Sequence, residues 1–211
     1  MSGIVILISG RGSNMQAILE AVDTGDIPAE VRAVISTNAD AAGLRIAETA
    51  GVATEVIDHR SFPARADFEH TLATTIENYG PRLVVLAGFM RILSPEFIRR
   101  LEHRLINIHP SLLPQFQGLN THQRALDAGV KQHGASVHFV TPEVDAGPII
   151  IQAAVSVLPN DTADTLAARV LEQEHRIFPL AVKWFMEGRL SIHEGRVFLD
   201  GTVKAEQGLL G

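Results

Sequence analysis

The sequence predicts a single α/β domain built on a doubly wound, mostly parallel sheet. Short apolar runs alternate along the chain with longer segments whose apolar residues recur at helical spacing. The runs are continuous rather than alternating, which is typical of parallel strands covered by helices on both faces. Strands and helices that alternate in this way form right-handed crossovers within one sheet. A length of 211 residues fits one domain, and we find no repeat or linker that would divide the chain.

The predicted elements follow in chain order. Strands are expected at residues 4–8, 31–35, 53–57, 83–87, 105–109, 136–140 and 149–157, and one of the last two is a candidate for an antiparallel strand. Helices are expected through Met15 and Val22, through Leu44 and Ala50, over residues 62–76 and over residues 162–185, the last with Asp161 or Thr162 as N-cap. After Gly188 the tail resembles a weak hairpin that frays at residues 208–211.

Composition and charge exclude several classes of function. The net charge is −6, and non-specific nucleic-acid binding needs a basic surface instead. The chain has no cysteine, hence no disulfide framework and no thiolate nucleophile. The apolar run at the start is short and lacks a preceding basic segment, so we expect a cytoplasmic protein with no membrane partner.

A glycine-rich turn follows the first predicted strand. It reads Ser-Gly-Arg-Gly-Ser-Asn and includes Gly12, Ser13 and Asn14. Glycines let the backbone approach a ligand, and a helix N-terminus offers free N–H groups to an anion. Met15 replaces the third glycine of the dinucleotide fingerprint, and the lysine of a P-loop is missing. A monophosphate site and an ordinary tight turn in which Ser13 or Asn14 caps the helix both remain open.

The strand at residues 105–109 ends in two polar residues on one face. Alternate side chains share a face, so Asn107 and His109 point the same way, and Pro110 ends the strand. Ligands of open α/β sheets bind at the carboxyl ends of the strands. An amide and an imidazole there suit a tetrahedral oxyanion of acyl transfer. The alternative is a histidine bonded to a backbone carbonyl and an asparagine that begins a turn.

A carboxylate is available to orient the histidine. Asp145 lies in a loop rich in proline and glycine after the sixth predicted strand, where it is either an inward-facing partner or an ordinary turn residue. The segment at residues 88–93 follows the fourth strand and suits a flat heteroaromatic ligand or simple packing on the core. Histidines and acidic residues show no metal-ligand spacing, so we assign no metal.

Four stretches together resemble the phosphoribosylglycinamide formyltransferase family. They are SGRGSN, LAGFMRIL, NIHPSLLP and HFVTPEVDAGPIIIQ. The resemblance implies a Rossmann-like domain over residues 1–211 with a seven-stranded sheet. Its phosphate-binding half would be residues 1–100, and its catalytic and folate-binding half residues 101–211. The sequence departs from the family at Gln115, Gln117 and Asn120, in the loop after the catalytic strand, and we assign these residues no role.

The family resemblance implies a reaction and its residues. The amine of glycinamide ribonucleotide would attack the formyl group of 10-formyltetrahydrofolate, a one-carbon transfer in purine biosynthesis. Asn107, His109 and Asp145 would be catalytic. The nucleotide would bind to Gly12, Ser13, Asn14 and Glu174, and the folate cosubstrate to Arg65, Met90, Arg91, Ile92, Leu93, Asn107 and Thr141.

Three alternatives to this function differ in their sequence requirements. A formyltetrahydrofolate hydrolase should lack the phosphate-binding turn, and a methionyl-tRNA formyltransferase should carry a second, basic domain. A non-catalytic nucleotide- or folate-binding module would not need Asn107, His109 and Asp145 to converge. The sequence does not distinguish a monomer from a homodimer.

Overall fold

The computed structural model describes residues 2–202. The strands are β1 (Ser2–Ile8), β2 (Ala29–Ser36), β3 (Ala53–Val56), β4 (Leu83–Leu86), β5 (Leu105–His109), β6 (Gln132–Phe139), β7 (Ile149–Ser156), β8 (Leu190–His193) and β9 (Arg196–Leu199). The helices are α1 (Ser13–Asp23), α2 (Ala42–Thr49), α3 (Arg65–Asn78), α4 (Pro95–Arg100), α5 (Thr121–Asp127) and α6 (Ala163–Met186), with a short 3₁₀ helix at His59–Ser61.

The central sheet confirms the predicted fold class. It has seven strands in the order β3-β2-β1-β4-β5-β6-β7. Strand β1 pairs in parallel with β2 and β4, and β2 pairs in parallel with β3. Strands β6 and β7 pair antiparallel, as anticipated for one of these two. Strands β8 and β9 form the separate hairpin expected after Gly188; residues 208–211 lie outside the described residues.

The chain divides into two compact units, Met1–Ile106 and Asn107–Gly211, with the boundary inside β5. In the first unit, β1 is the buried centre, since the side chains from Ile4 to Ile8 are all 0% exposed. Helix α1 buries Met15, Ile18 and Leu19, as its helical spacing predicts. A strand buried on both faces explains the continuous apolar run in the sequence.

The second unit is organised by β6, β7 and the long helix α6. Helix α6 contacts both strands and buries residues such as Leu166, Phe178 and Val182. Its N-cap is Thr162, whose hydroxyl accepts from the N–H of Thr165 in a capping box. The other cap candidate, Asp161, instead binds Arg169.

Several boundaries differ from the sequence predictions. Helix α3 begins at Arg65 rather than residue 62, because Pro63 disfavours helical geometry at Phe62 and the cap Ala64 is extended. Strand β6 begins at Gln132 instead of residue 136, since its first residues pair with the end of β7. Helices α4 and α5 were not predicted, because six and seven residues give little periodic signal.

The early part of β6 carries a buried histidine. His133 is 1% exposed, and its ring centroid lies 5.2 Å from that of His122 in α5 and 5.8 Å from that of Phe116. Burial, with a smaller contribution from His122, lowers the pKa of His133 to about 4. His133 is therefore neutral in the folded protein near pH 7.

This buried histidine predicts a loss of stability in mild acid. In the unfolded chain the pKa of a histidine is about 6.5, so below that pH the unfolded state binds a proton that the folded state does not. The stabilising contribution is complete above pH 6.5 and is lost as the pH falls to about 4. The free energy of unfolding, measured by urea titration, should fall less over this window in His133→Gln than in the wild type. His70→Gln, on the exposed face of α3, is the control, and a slope in His133→Gln equal to that of the wild type and of His70→Gln would contradict the assignment.

Candidate active site

The polar residues at the end of β5 lie where the alternation predicts them. The strand ends at His109, immediately before Pro110, as expected. Ile106 and Ile108 are buried on the opposite face, and His109 is itself only 6% exposed. An imidazole with so little contact with water depends on protein groups for its hydrogen bonds.

Both ring nitrogens of His109 face acceptors. Nδ1 lies 3.4 Å from Oδ2 of Asp145, and Nε2 lies 2.9 Å from the carbonyl oxygen of Phe116. Since a carboxylate and a carbonyl only accept, a ring protonated on both nitrogens donates to both of them. The structure therefore brings His109 and Asp145 together in a geometry suited to holding an imidazolium.

The backbone around Asp145 turns its carboxylate inward. Asp145 has φ 51°, in the left-handed region, and its side chain is 12% exposed. Its Oδ2 accepts from the N–H of Gly118 at 2.9 Å, and its carbonyl accepts from Nε2 of Gln117 at 3.0 Å. At Gly147 a Cβ atom would lie 1.8 Å from the carbonyl oxygen of Phe139, so only glycine permits this tight loop. The loop is thus a rigid holder for the carboxylate.

Asn107 is oriented by a histidine that the sequence analysis did not single out. In β6, His138 places Nδ1 2.9 Å from the carbonyl of Phe139, so Nδ1 carries the proton and Nε2 is an acceptor. Nδ2 of Asn107 lies 3.2 Å from that Nε2 and donates one hydrogen to it. The second amide hydrogen of Asn107 remains for another acceptor.

His138 also lies beside the carboxylate. Its Nε2 is 3.8 Å from Oδ1 of Asp145, so Asp145 lies between two imidazoles. Burial lowers the pKa of His138, which is 2% exposed, and this favours the neutral ring that accepts from Asn107. His138 shares a face of β6 with Gln132 and Ser136, so the alternation of the strand was the signal in the sequence, as it was for Asn107 and His109.

A buried polar network holds the chain after Pro110. The hydroxyl of Ser136 donates to the carbonyl of Ser111 at 2.6 Å and accepts from the N–H of Leu113 at 3.0 Å. Nε2 of Gln152 donates to that hydroxyl at 2.8 Å and to the carbonyl of Leu113 at 2.9 Å. Ser111 and Ser136 are both 0% exposed, so these bonds fix the segment on β6 and β7.

The glycine-rich turn lies at the start of α1 in the first unit. The N-cap is Gly12 in left-handed geometry, with φ 79°, and no side chain caps the helix. The interpretation that Ser13 or Asn14 caps α1 is therefore wrong; they are its first two residues. A Cβ atom at Gly12 would lie 2.7 Å from Cα of Gly43, so glycine is required for the close approach of α2. A helix start without a side-chain cap is suited to an anion.

Arg65 and the segment formed by Met90, Arg91, Ile92 and Leu93 lie together in the first unit. Nη2 of Arg65 donates to the carbonyl of Ile92 at 2.8 Å. Met90 and Ile92 are 72% and 69% exposed, whereas Leu93 is buried. Beside this segment is a pocket of about 320 Å³ lined by Ser9, Thr37, Asn38, His59, Arg60, Met90 and Arg91.

The other two predicted site residues lie in the second unit. The hydroxyl of Thr141 donates within its own loop, to the carbonyl of Glu143 at 3.3 Å. Glu174 is buried in the middle of α6, at 8% exposed. Among the residues that the structure describes, no group of three His, Cys, Asp or Glu side chains is arranged to hold a metal ion. In the same part of the chain, no helix combines the length and apolar character needed to cross a membrane.

Comparison with known proteins assigns the chain to a family. A family model described as formyl transferase matches residues 2–182. The phosphoribosylglycinamide formyltransferase of Escherichia coli strain K12 is 52% identical over 205 residues, covering 97% of each chain.

Two solved structures share the fold of this chain. A phosphoribosylglycinamide formyltransferase from Coxiella burnetii superposes with a TM-score of 0.93 at 53% identity, covering 99% of this chain and 98% of that chain. A formyltetrahydrofolate deformylase from Pseudomonas putida KT2440 gives a TM-score of 0.84 at 30% identity, covering 94% of this chain and 70% of that chain. The extent of the family match and the identity over almost the whole chain lead to one conclusion: the protein belongs to the formyl transferase family.

Proposed function

We propose that the protein transfers the formyl group of 10-formyltetrahydrofolate to the amine of glycinamide ribonucleotide. The products are formylglycinamide ribonucleotide and tetrahydrofolate, in the synthesis of the purine precursor IMP. The observation that carries the proposal is the convergence of Asn107, His109 and Asp145 at the end of β5. It is supported by relatives named for this reaction over nearly the full chain.

The three residues have complementary roles in the proposed reaction. The substrate amine forms a bond to the formyl carbon, and the carbonyl oxygen becomes an oxyanion. The second amide hydrogen of Asn107 and a protonated His109 donate to that oxygen, where their bonds strengthen as charge develops. The intermediate collapses when the bond from carbon to N10 of the folate breaks; the attacking amine loses one proton and N10 gains one, so no net proton is taken up or released. Asp145 stabilises the imidazolium and fixes its orientation.

His109 must exchange one hydrogen bond before it acts on a substrate. Its Nε2 is bonded to the carbonyl of Phe116, while its Nδ1 faces Asp145. To donate to the oxyanion through Nε2, His109 must therefore break its hydrogen bond to the Phe116 carbonyl. The loop that carries Phe116 also supplies the Gly118 N–H to Asp145, so the same loop governs both partners of the histidine.

We assign the nucleotide phosphate to the turn formed by Gly12, Ser13 and Asn14. The start of α1 has no side-chain cap, so its first N–H groups and the Ser13 hydroxyl suit phosphate oxygens. Glu174 is our candidate for a contact with the sugar, on family resemblance.

We assign the folate to Arg65 and the segment at residues 90–93, together with Asn107 and Thr141. The exposed apolar side chains of Met90 and Ile92 suit a flat ring, and the guanidinium of Arg65 suits a carboxylate. The proposed partners are these small molecules, with no nucleic acid and no membrane. We expect a cytoplasmic enzyme that is a monomer or a homodimer.

Hydrolysis of formyltetrahydrofolate is the competing function. The observation that favours it is the likeness to the Pseudomonas putida deformylase. The two reactions differ in the acceptor, which is an amine in one and water in the other. In a spectrophotometric assay with 10-formyltetrahydrofolate, we expect tetrahydrofolate to be released only when glycinamide ribonucleotide is present. Equal release without the amine would establish the hydrolase instead.

The phosphate assignment predicts a selective binding defect. Ser13→Ala removes one hydroxyl donor to a charged group, so the KM for glycinamide ribonucleotide should rise about tenfold while the KM for the folate is unchanged. Initial rates with each substrate varied in turn provide both constants. Ser61→Ala, an exposed serine of the same unit, is the control. A change confined to the folate KM would mean that the two ligand assignments are reversed.

A further inference from the structure

A buried carboxylate lies next to the segment that we assign to the folate. Glu69, in α3, is 7% exposed. A glutamate is rarely this buried unless other groups pair with its carboxylate. Its Oε1 accepts from Nε of Arg65 and from the N–H of Ser94, at 2.8 and 2.9 Å. Its Oε2 accepts a short hydrogen bond from the hydroxyl of Ser94.

Glu69 fixes the far end of the 90–93 segment. Ser94 directly follows Leu93 and is the N-cap of α4, where its hydroxyl oxygen accepts from the N–H of Phe97 at 3.2 Å. The carboxylate therefore fixes both the backbone and the side chain of the residue at which the segment enters the helix. Phe97 is 2% exposed, so this helix start is anchored in the core of the first unit.

Glu69 also fixes the guanidinium of Arg65. With Nε bonded to Glu69 and Nη2 bonded to the carbonyl of Ile92, two nitrogens of the planar group are held. The Arg65 side chain is still 54% exposed, so the guanidinium presents its remaining N–H donors to solvent in a fixed orientation. An exposed arginine without such partners would lose side-chain entropy on binding an anion.

We propose that Glu69 is a positioning residue for the folate cosubstrate, acting through Arg65 and Ser94. It preorganises a cation for a carboxylate of the folate tail and holds the backbone that would contact the ring. This inference rests on the proposed function, in particular on the assignment of Arg65 and residues 90–93 to the folate. The role does not include contact with the reacting atoms.

The matched control lies on the same helix. Glu77 also links α3 to α4, because it accepts from Nη2 of Arg100 at 2.8 Å. Its side chain is 48% exposed, and this ion pair does not involve residues 90–93. Glu77→Ala therefore removes a carboxylate that joins the same two helices without disturbing Arg65 or Ser94. A purely structural role for acidic residues between these helices would affect both variants alike.

The test is a split between two Michaelis constants. In Glu69→Ala we expect the KM for 10-formyltetrahydrofolate to rise about tenfold, with kcat and the KM for glycinamide ribonucleotide within about twofold of wild type. Glu77→Ala should match the wild type in all three constants. An unchanged folate KM in Glu69→Ala, or equal changes in both KM values, would overturn the inference.

A double variant tests whether Glu69 acts through Arg65. If it does, Arg65→Ala with Glu69→Ala should raise the folate KM by less than the product of the two single effects, because part of each effect is the same interaction. Fully multiplicative effects would overturn that route. Glu69→Gln keeps the shape and most hydrogen bonds but lacks the charge, and provides the same comparison if the alanine variant does not fold.

Direct binding separates this inference from the proposed function. Calorimetric titration with 10-formyltetrahydrofolate needs no nucleotide, so the ratio of variant to wild-type Kd remains measurable even if glycinamide ribonucleotide is not the acceptor. A wild type that binds the folate but does not formylate that amine would refute the proposed function alone. A wild type that transfers formyl groups while Glu69→Ala binds folate normally would refute this inference alone.

Discussion

The geometry of the candidate site in the second unit depends on the interaction of the Asp145 carboxylate with His109. A carboxylate only 12% exposed needs compensating charges or donors, and Asp145 has His109 and the N–H of Gly118 within reach. Removing it would leave His109 with only the Phe116 carbonyl as partner. The left-handed backbone at Asp145 and the tight loop around it follow from the requirement to turn this group inward.

The same principle recurs in the first unit. Glu69 is a buried carboxylate that holds a cation, Arg65, and the backbone at Ser94, just as Asp145 holds His109. In both cases a side chain that makes no proposed contact with the reacting carbon orients one that faces a ligand. Donors that a carboxylate already orients need less rearrangement when charge develops or an anion binds, which is the physical reason for locating carboxylates behind them.

The sequence predicted the elements whose signals are local and missed those that depend on distant contacts. Continuous apolar runs identified the sheet, and strand alternation brought Asn107 and His109 to one face. Whether Asp145 reaches His109 depends on a loop that closes only because Gly147 passes against Phe139, a contact that no spacing rule contains.

The remaining site residues have weaker signals. His138 and Glu69 lie in elements that contain several other polar residues, and their partners Asn107 and Ser94 are 31 and 25 positions away in sequence. Ser13 and Asn14 were candidates for the cap of α1 because their side chains favour caps, but left-handed Gly12 occupies that position.

The most direct test of the account is the turnover of Asp145→Asn. This substitution keeps the size of the side chain and removes the charge that faces Nδ1 of His109 and orients the ring, so kcat for formyl transfer should fall on the order of 10²–10³-fold. Both KM values should stay within a few-fold of wild type, and Asp164→Asn, at an exposed position of α6, should be unaffected. A folded Asp145→Asn protein that retains wild-type kcat would contradict the central claim that this carboxylate supports catalysis by His109.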